Sequence, residues 1–187
     1  MIIKALKTER YQDYKYPCMF IACHSCSFKC DRDCKRNVCQ NSELAKSPDI
    51  EISVAEMIQK YIANPITKAI VFGGLEPFDD IYNVLDFIKQ FRGLGFGDDI
   101  VIYTGYTKQE ILDKFTMAYG ELLEYVNIVI KYGRFIPNKA KHFDRVLRVY
   151  LSSDNQYAER LDAQLGSSYY NTQKTIKEKI CQNTKSL

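Results

Sequence analysis

The chain has 187 residues, 46% apolar and 26% charged, which suits a globular domain with a core of its own. Its net charge of +3 is too small to argue for nucleic acid. The start, MIIKALKTERYQDYKYP, is charged and lacks the roughly 7–15-residue apolar run of a secretory signal. No stretch reaches the roughly 18 apolar residues of a transmembrane helix, so the chain reads as cytoplasmic, with no membrane partner.

The first apolar run of strand length is PCMFIAC (17–23). After the cysteine-rich stretch that follows it, Ser53-Val-Ala-Glu56 reads as a capping box. It opens a helix with Met57, Ile58, Tyr61 and Ile62 on one face. KAIVFGG (68–74) is a second strand, and residues 80–92 place Ile81, Val84, Leu85, Ile88 and Phe91 at helical spacing. DIVIYTG (99–105) is a third strand. Thr107 caps a helix over 107–118 carrying Ile111, Leu112 and Phe115, with a further short helix over 120–126. NIVIKYG (127–133) and RVLRVYLS (145–152) complete the strands. Most of these runs are short, nearly continuous and rich in Val and Ile, the pattern of strands buried on both faces of a parallel sheet.

Repeated strand–helix units predict an α/β fold. Right-handed crossovers then give either an open doubly wound sheet or a partial (β/α) parallel barrel. In both, the loops after the strands' C-terminal ends build the site. Those loops are the cysteine run, GGLEPFDD, TGYTK, GRFIPN and SSDNQ. The organisation expected is one α/β domain over 1–160 and a polar tail or helix over 161–187.

Seven cysteines are present, and five of them, Cys23, Cys26, Cys30, Cys34 and Cys39, fall within CHSCSFKCDRDCKRNVC. A reducing compartment disfavours a disulfide knot, so clustered thiols point to metal binding before redox chemistry. A zinc module would use Cys23, Cys26, Cys30 and Cys34, but only three residues separate its two pairs, too few for a zinc ribbon. Cys18 and Cys23 alternate with apolar residues on the first strand and read as small buried side chains. His24 reads as a solvent-facing or loop-bonded side chain rather than a ligand. The basic stretch Arg134, Lys139, Lys141, Arg145 and Arg148, around His142, is either a solvated loop or a docking patch for an acidic partner. The 14 tyrosines read as amphipathic core-edge residues.

Several segments carry a resemblance. Cys26-x3-Cys30 followed by a third cysteine resembles the cluster loop of radical SAM proteins, whose form is Cys-x3-Cys-x2-Cys. Val-Cys-Gln-Asn around Cys39 resembles the Cys-Tyr-Asn that ends this loop in the activating proteins of anaerobic ribonucleotide reductase, with residues 31–36 as an insertion. VFGGLEPF (71–78) resembles Gly-Gly-Glu-Pro with Leu75 inserted, although Gly73-Gly74 alone is an ordinary tight turn. YTGY (103–106) is shared with the same proteins. KYGRFIPN (131–138) resembles their Asp-Gly-x-Phe segment with Tyr132 at the acid, and SSDNQYAER (152–160) their Gly-Ser-Ser-Asn-Gln-Arg with Asp154 inserted. The motifs keep the family's order and span residues 17–160. The chain is thus similar to a divergent branch of the radical SAM activating proteins of anaerobic ribonucleotide reductase.

That resemblance implies the small, partial-barrel radical SAM fold and a [4Fe–4S] cluster on Cys26, Cys30 and Cys39, with Cys34 as the substitute for Cys39. It implies S-adenosylmethionine as the second cofactor. Gly73, Gly74 and Glu76 would hold its methionine end, Tyr103, Thr104 and Gly105 would shape the pocket, and Ser153 and Asn155 would reach the nucleoside. It also implies a flavodoxin or ferredoxin donor and a glycyl-radical enzyme, an anaerobic ribonucleotide reductase or a relative, as the partner. The competing expectations are the zinc module and an electron-transfer protein whose cluster is fully ligated by using Cys34 and Cys39 together.

Overall fold

The computed structural model describes residues 1–161. The expected tail therefore lies, past its first residue, outside the described residues, as does Cys181. Strands β1 (Ile2–Arg10) and β2 (Cys18–Cys23) form an antiparallel pair, followed by the short helices α1 (Lys29–Cys34) and α2 (Ser42–Lys46). Next come β3 (Ile50–Glu51), α3 (Val54–Ala63), β4 (Ala69–Gly73), a 3-10 turn (Pro77–Asp80), α4 (Ile81–Gly93) and β5 (Asp99–Tyr103). The chain continues through α5 (Lys108–Lys114), α6 (Thr116–Leu122), β6 (Ile128–Tyr132), β7 (His142–Asp144), β8 (Val149–Leu151) and β9 (Tyr157–Leu161).

Seven strands make one sheet in the order β3-β1-β2-β4-β5-β6-β9, and β7 pairs only with β8. The four central strands β2, β4, β5 and β6 are parallel, while β1 and β9 run antiparallel to their neighbours. The parallel strands follow chain order, so the chain winds one way and its longer helices share one face. The sheet is therefore not doubly wound, and among the described residues it does not close into a barrel.

The strand alternation assigns the two faces. Met19, Ile21, Ile70, Phe72, Ile100, Ile102, Ile128 and Ile130 point to the helices and pack with Met57, Ile58, Val84, Ile88 and Phe91. Cys18, Phe20, Ala22, Ala69, Val71, Val101 and Val129 point the other way, against Leu147 and Leu151. Each fully buried Ile or Phe contributes about 1.5–3 kcal/mol, so the helix face carries most of the apolar stabilisation.

Several expectations are corrected. Ser53 does cap α3 by accepting from the Glu56 N–H, but Ile62 is 54% exposed, and Val54 takes its place on the buried face. The helix expected over 107–118 is two helices, broken at Phe115, whose ring is anchored 5.4 and 5.2 Å from Phe78 and Tyr106. Thr107 and Glu110 form the reciprocal capping box at its start. The strand expected over 145–152 shrinks to β8. The Asp144 carboxylate accepts from the N–H groups of Val146 and Leu147 and turns the chain there, and Arg148 is left-handed with φ 58°. The sheet instead recruits β9 at one edge and, at the other, β1, which the two-residue β3 covers only at Ile2 and Ile3; the charged residues of β1 and β9 hid them in the sequence. Because β9 is antiparallel, its first residue, Tyr157, pairs with Tyr132 at the end of β6, and the SSDNQ loop still reaches the C-terminal end of the parallel strands.

Candidate metal centre

Beyond Cys23 the chain crosses the C-terminal edge of the sheet. Glu76 N–H donates to the Ser25 carbonyl at 2.9 Å and Ser27 N–H to the Asp79 carboxylate at 2.8 Å, fastening the cysteine run over the turn after β4. Phe28 is left-handed (φ 50°) and starts α1, which Lys35, also left-handed (φ 51°), ends after six residues. The chain then folds back. Asp31 Oδ1 accepts from both Val38 N–H and Cys39 N–H at 2.7 Å. This carboxylate closes residues 31–39 into a loop and lays Cys39 beside Cys30. Nothing in the spacing of the cysteines announced that role for Asp31.

The result is three thiols on one wall. Cys26, Cys30 and Cys39 line a cavity of about 470 Å³, within the usual range for small-molecule sites. Cys39 lies close enough to crowd the Cys30 thiol, whose Sγ donates to Asp31 Oδ1 at 3.9 Å. Cys34, the last residue of α1, does not line the cavity. The sulfur of Cys26 accepts from Phe28 N–H at 3.3 Å, and that of Cys39 from Asn41 N–H at 3.4 Å. Burial pushes the Cys26 thiol up to about 11, against the Phe28 N–H, and the Cys30 thiol, crowded by Cys39, up to about 12. Three thiols from one short loop lining one cavity, two of the sulfurs held by amide donors, suit an iron–sulfur cluster whose charge stabilises thiolates. Cys18 and Cys23 are fully buried. Cys23 packs among Met19 and Ile21 on the helix face, so the zinc tetrad lacks its first member, and no group of three His, Cys, Asp or Glu among the described residues converges tightly enough for a single ion. His24 faces the Asp80 carboxylate at 3.9 Å.

A family model described as a 4Fe-4S single cluster domain matches residues 18–158. The chain belongs to the 4Fe-4S single cluster domain family. No curated protein and no solved structure matches it. An iron–sulfur protein is thus established at the level of this family, and the matched span runs from the first parallel strand into β9, taking in all three cavity-lining cysteines.

The remainder of the cavity is built from the turns after β4, β5 and β6. Gly74 has φ +76°, and a Cβ there would meet Ala22 Cβ at 2.9 Å and Leu44 at 2.8 Å, so only glycine fits. A Cβ on Gly73 would press on Phe20 and Tyr103 at 3.3 Å. Glu76 is buried: Oε1 accepts from Thr104 Oγ1 (2.7 Å) and Phe78 N–H (3.1 Å), and Oε2 from Gly105 N–H (2.8 Å). Burial raises its pKa to about 7, against the lowering by these hydrogen bonds. Tyr103 lines the wall and donates its hydroxyl to the Asp13 carbonyl. Ser153 and Asn155 lie behind the wall. Ser153 is fully buried and accepts from Ile136 N–H, and Asn155 donates to the Arg134 carbonyl, while Ser152 and Gln156 reach the cavity.

Two features escaped the sequence. Lys131 is buried on the cavity floor, with Nζ donating to the Gly133 carbonyl at 2.6 Å; burial lowers its pKa to about 7, against the pull of Glu76. Glu110 accepts from Lys29 Nζ at 2.7 Å and from Arg134 Nη2 at 2.7 and 2.8 Å, and Arg134 Nη1 lies 3.1 Å from Asp33. Burial pushes this carboxylate up, but those donors hold it down to about 2. The helix carrying Cys30 is thereby clamped to α5 and to the turn after β6. The Lys29–Glu110 contact joins residues 81 positions apart and the Arg134–Glu110 contact residues 24 apart, which no local pattern reports.

Proposed function

We propose that the protein is a radical SAM enzyme of the glycyl-radical-activating type, working in the cytoplasm with a flavodoxin or ferredoxin and an anaerobic ribonucleotide reductase or a relative as its substrate. The observation that carries this reading is the wall of three thiols on a cavity that extends well past them. Cys26, Cys30 and Cys39 would hold a [4Fe–4S] cluster, which when bound would supply the electron for reductive cleavage of the S-adenosylmethionine sulfonium into methionine and a 5′-deoxyadenosyl radical. Hydrogen abstraction from a partner glycine by that radical would leave a glycyl radical and 5′-deoxyadenosine.

The chain's own residues do the rest. Asp31 sets Cys39 beside Cys30, and the Phe28 and Asn41 N–H groups steady two sulfurs. A carboxylate offers about four acceptor sites, and Glu76 has three filled by protein donors. The fourth, on Oε2, is open to a ligand ammonium, while Lys131 has further N–H donors for a carboxylate. Gly74 lets the main chain approach closely. Single-direction winding and small side chains on the cavity face support the partial-barrel reading of the sheet.

The test is anaerobic reconstitution, reduction and addition of S-adenosylmethionine, with 5′-deoxyadenosine measured. Formation that needs both cluster and reductant is expected. A cluster that forms, reduces and leaves S-adenosylmethionine intact would overturn the reading in favour of electron transfer.

A further inference from the structure

The β7–β8 hairpin lies at the rim of the cavity, and nothing in the proposed chemistry uses its outer surface. Its three register pairs are His142 with Leu151, Phe143 with Tyr150, and Asp144 with Val149. The pleat sends the outer two pairs inward, where Leu151 and Val149 join the apolar cluster on the cavity face of the sheet. The middle pair points outward. Phe143 and Tyr150 are 48% and 73% exposed and stack edge to face at 5.4 Å. Two adjacent aromatic rings left in water are a feature of docking surfaces rather than of a solvated loop.

The platform is anchored to the main sheet. Asp144 is buried, and its second oxygen accepts from Ala158 N–H at 2.9 Å, tying the hairpin to β9 in the main sheet. Its charge is one-sided. Lys141, Arg145 and Arg148 are exposed on and beside the hairpin, and none forms an ion pair among the described residues, whereas Arg134 is taken by Glu110 and Asp33 and Lys139 by Asp154. The chain's own residues 162–187 carry four lysines against one Asp and one Glu, so their charge is not complementary. Tyr150 also lines the cavity, so whatever lies on the hairpin lies at the cavity's entrance.

We infer that the β7–β8 hairpin is the docking surface for an acidic polypeptide segment bearing aromatic or apolar side chains, which it presents to the cavity. The inference adds the partner's chemistry to the proposed function but does not rest on S-adenosylmethionine cleavage. Cations steer the segment in, and the Phe143–Tyr150 pair supplies the desolvated contact.

The test uses the reconstituted full chain and a labelled peptide of about a dozen residues, Glu- and Asp-rich with one Gly and two Tyr. A lysine-for-acid version, oligo-dT and phosphatidylserine vesicles are the comparisons. The acidic peptide is expected to bind in preference to all three, at least tenfold more weakly as salt rises from 50 to 300 mM, as screening requires. The double variant Arg145→Glu/Arg148→Glu should lose this binding, take up the lysine peptide instead, and retain partner-free S-adenosylmethionine cleavage. Phe143→Ser, a separate exposed change, should weaken binding with the cations intact. No binding by the acidic peptide, equal binding of the lysine peptide, tighter binding of oligo-dT or vesicles, or indifference to both variants would each overturn the inference. Binding without any cleavage activity would leave it standing and break the proposed function instead.

Discussion

The two faces of the central sheet solve different problems with the same strands. On the helix face, Ile70, Phe72, Ile100, Ile102, Ile128 and Ile130 meet the apolar stripes of α3 and α4 in a mostly hydrocarbon core. On the other face the residues are smaller, Ala22, Ala69, Val71, Val101 and Val129, and the cover is made of the β7–β8 hairpin and loops. Toward the C-terminal end of the strands this second face turns polar, with Tyr103, Thr104, Lys131 and Glu76 around the cavity. One face buys stability by close packing; the other gives up packing for a space where thiols, a carboxylate and an amine converge. Function therefore sits where the strand side chains are short and the cover is irregular.

The largest expected effect separates the thiols. Cys26→Ala, Cys30→Ala and Cys39→Ala should each lose nearly all cluster iron after anaerobic reconstitution, while Cys34→Ala keeps the wild-type content. Iron retained by Cys39→Ala and lost by Cys34→Ala would assign the third ligand to the wrong end of the 31–39 loop.

Packing gives the next contrast. Phe72→Ala on the helix face should cost about 3–5 kcal/mol in denaturant unfolding, and Val101→Ala on the cavity face about 2 kcal/mol. Equal costs would mean that Val101, though smaller, is packed more tightly than Phe72, against this contrast.

The cavity carboxylate adds a pH signature. Burial raises Glu76 from 4.5 to about 7, so the folded state holds a proton that the unfolded chain releases in that interval. Stability from this group is full below about pH 4.5, falls as pH rises toward 7, and is then level, a change of about 3 kcal/mol. Glu76→Gln should remove that slope in unfolding measured across pH 4–8. An unchanged slope would mean that Glu76 does not hold the proton.

A smaller effect is expected at the loop closure. Asp31→Ala removes the acceptor of two N–H donors and should cost about 2 kcal/mol, with faster cluster loss to a chelator than wild type. Unaltered cluster lifetime would show that Cys39 is positioned without it.

The sequence by itself determined the four parallel strands, the α3 and α4 stripes, and which loops gather at one end, because continuous apolar runs and 3.6-residue periodicity are local properties that burial on the helix face enforces. It also supplied the motifs that carry the resemblance and the candidate cysteines. Strands β1 and β9, at or next to the sheet's edges, stayed hidden, since the margin of a sheet tolerates charge and needs no continuous apolar run. Only the tertiary structure decided that Cys26, Cys30 and Cys39 share a wall while Cys34 turns away, that Asp31 makes this so, and that Glu110 draws Lys29 and Arg134 together. It likewise decided that Ser152 and Gln156, not Ser153 and Asn155, face the cavity. Those outcomes depend on hydrogen bonds and ion pairs between loops far apart in the chain, and their directions are set by the sheet beneath them rather than by neighbours in the sequence.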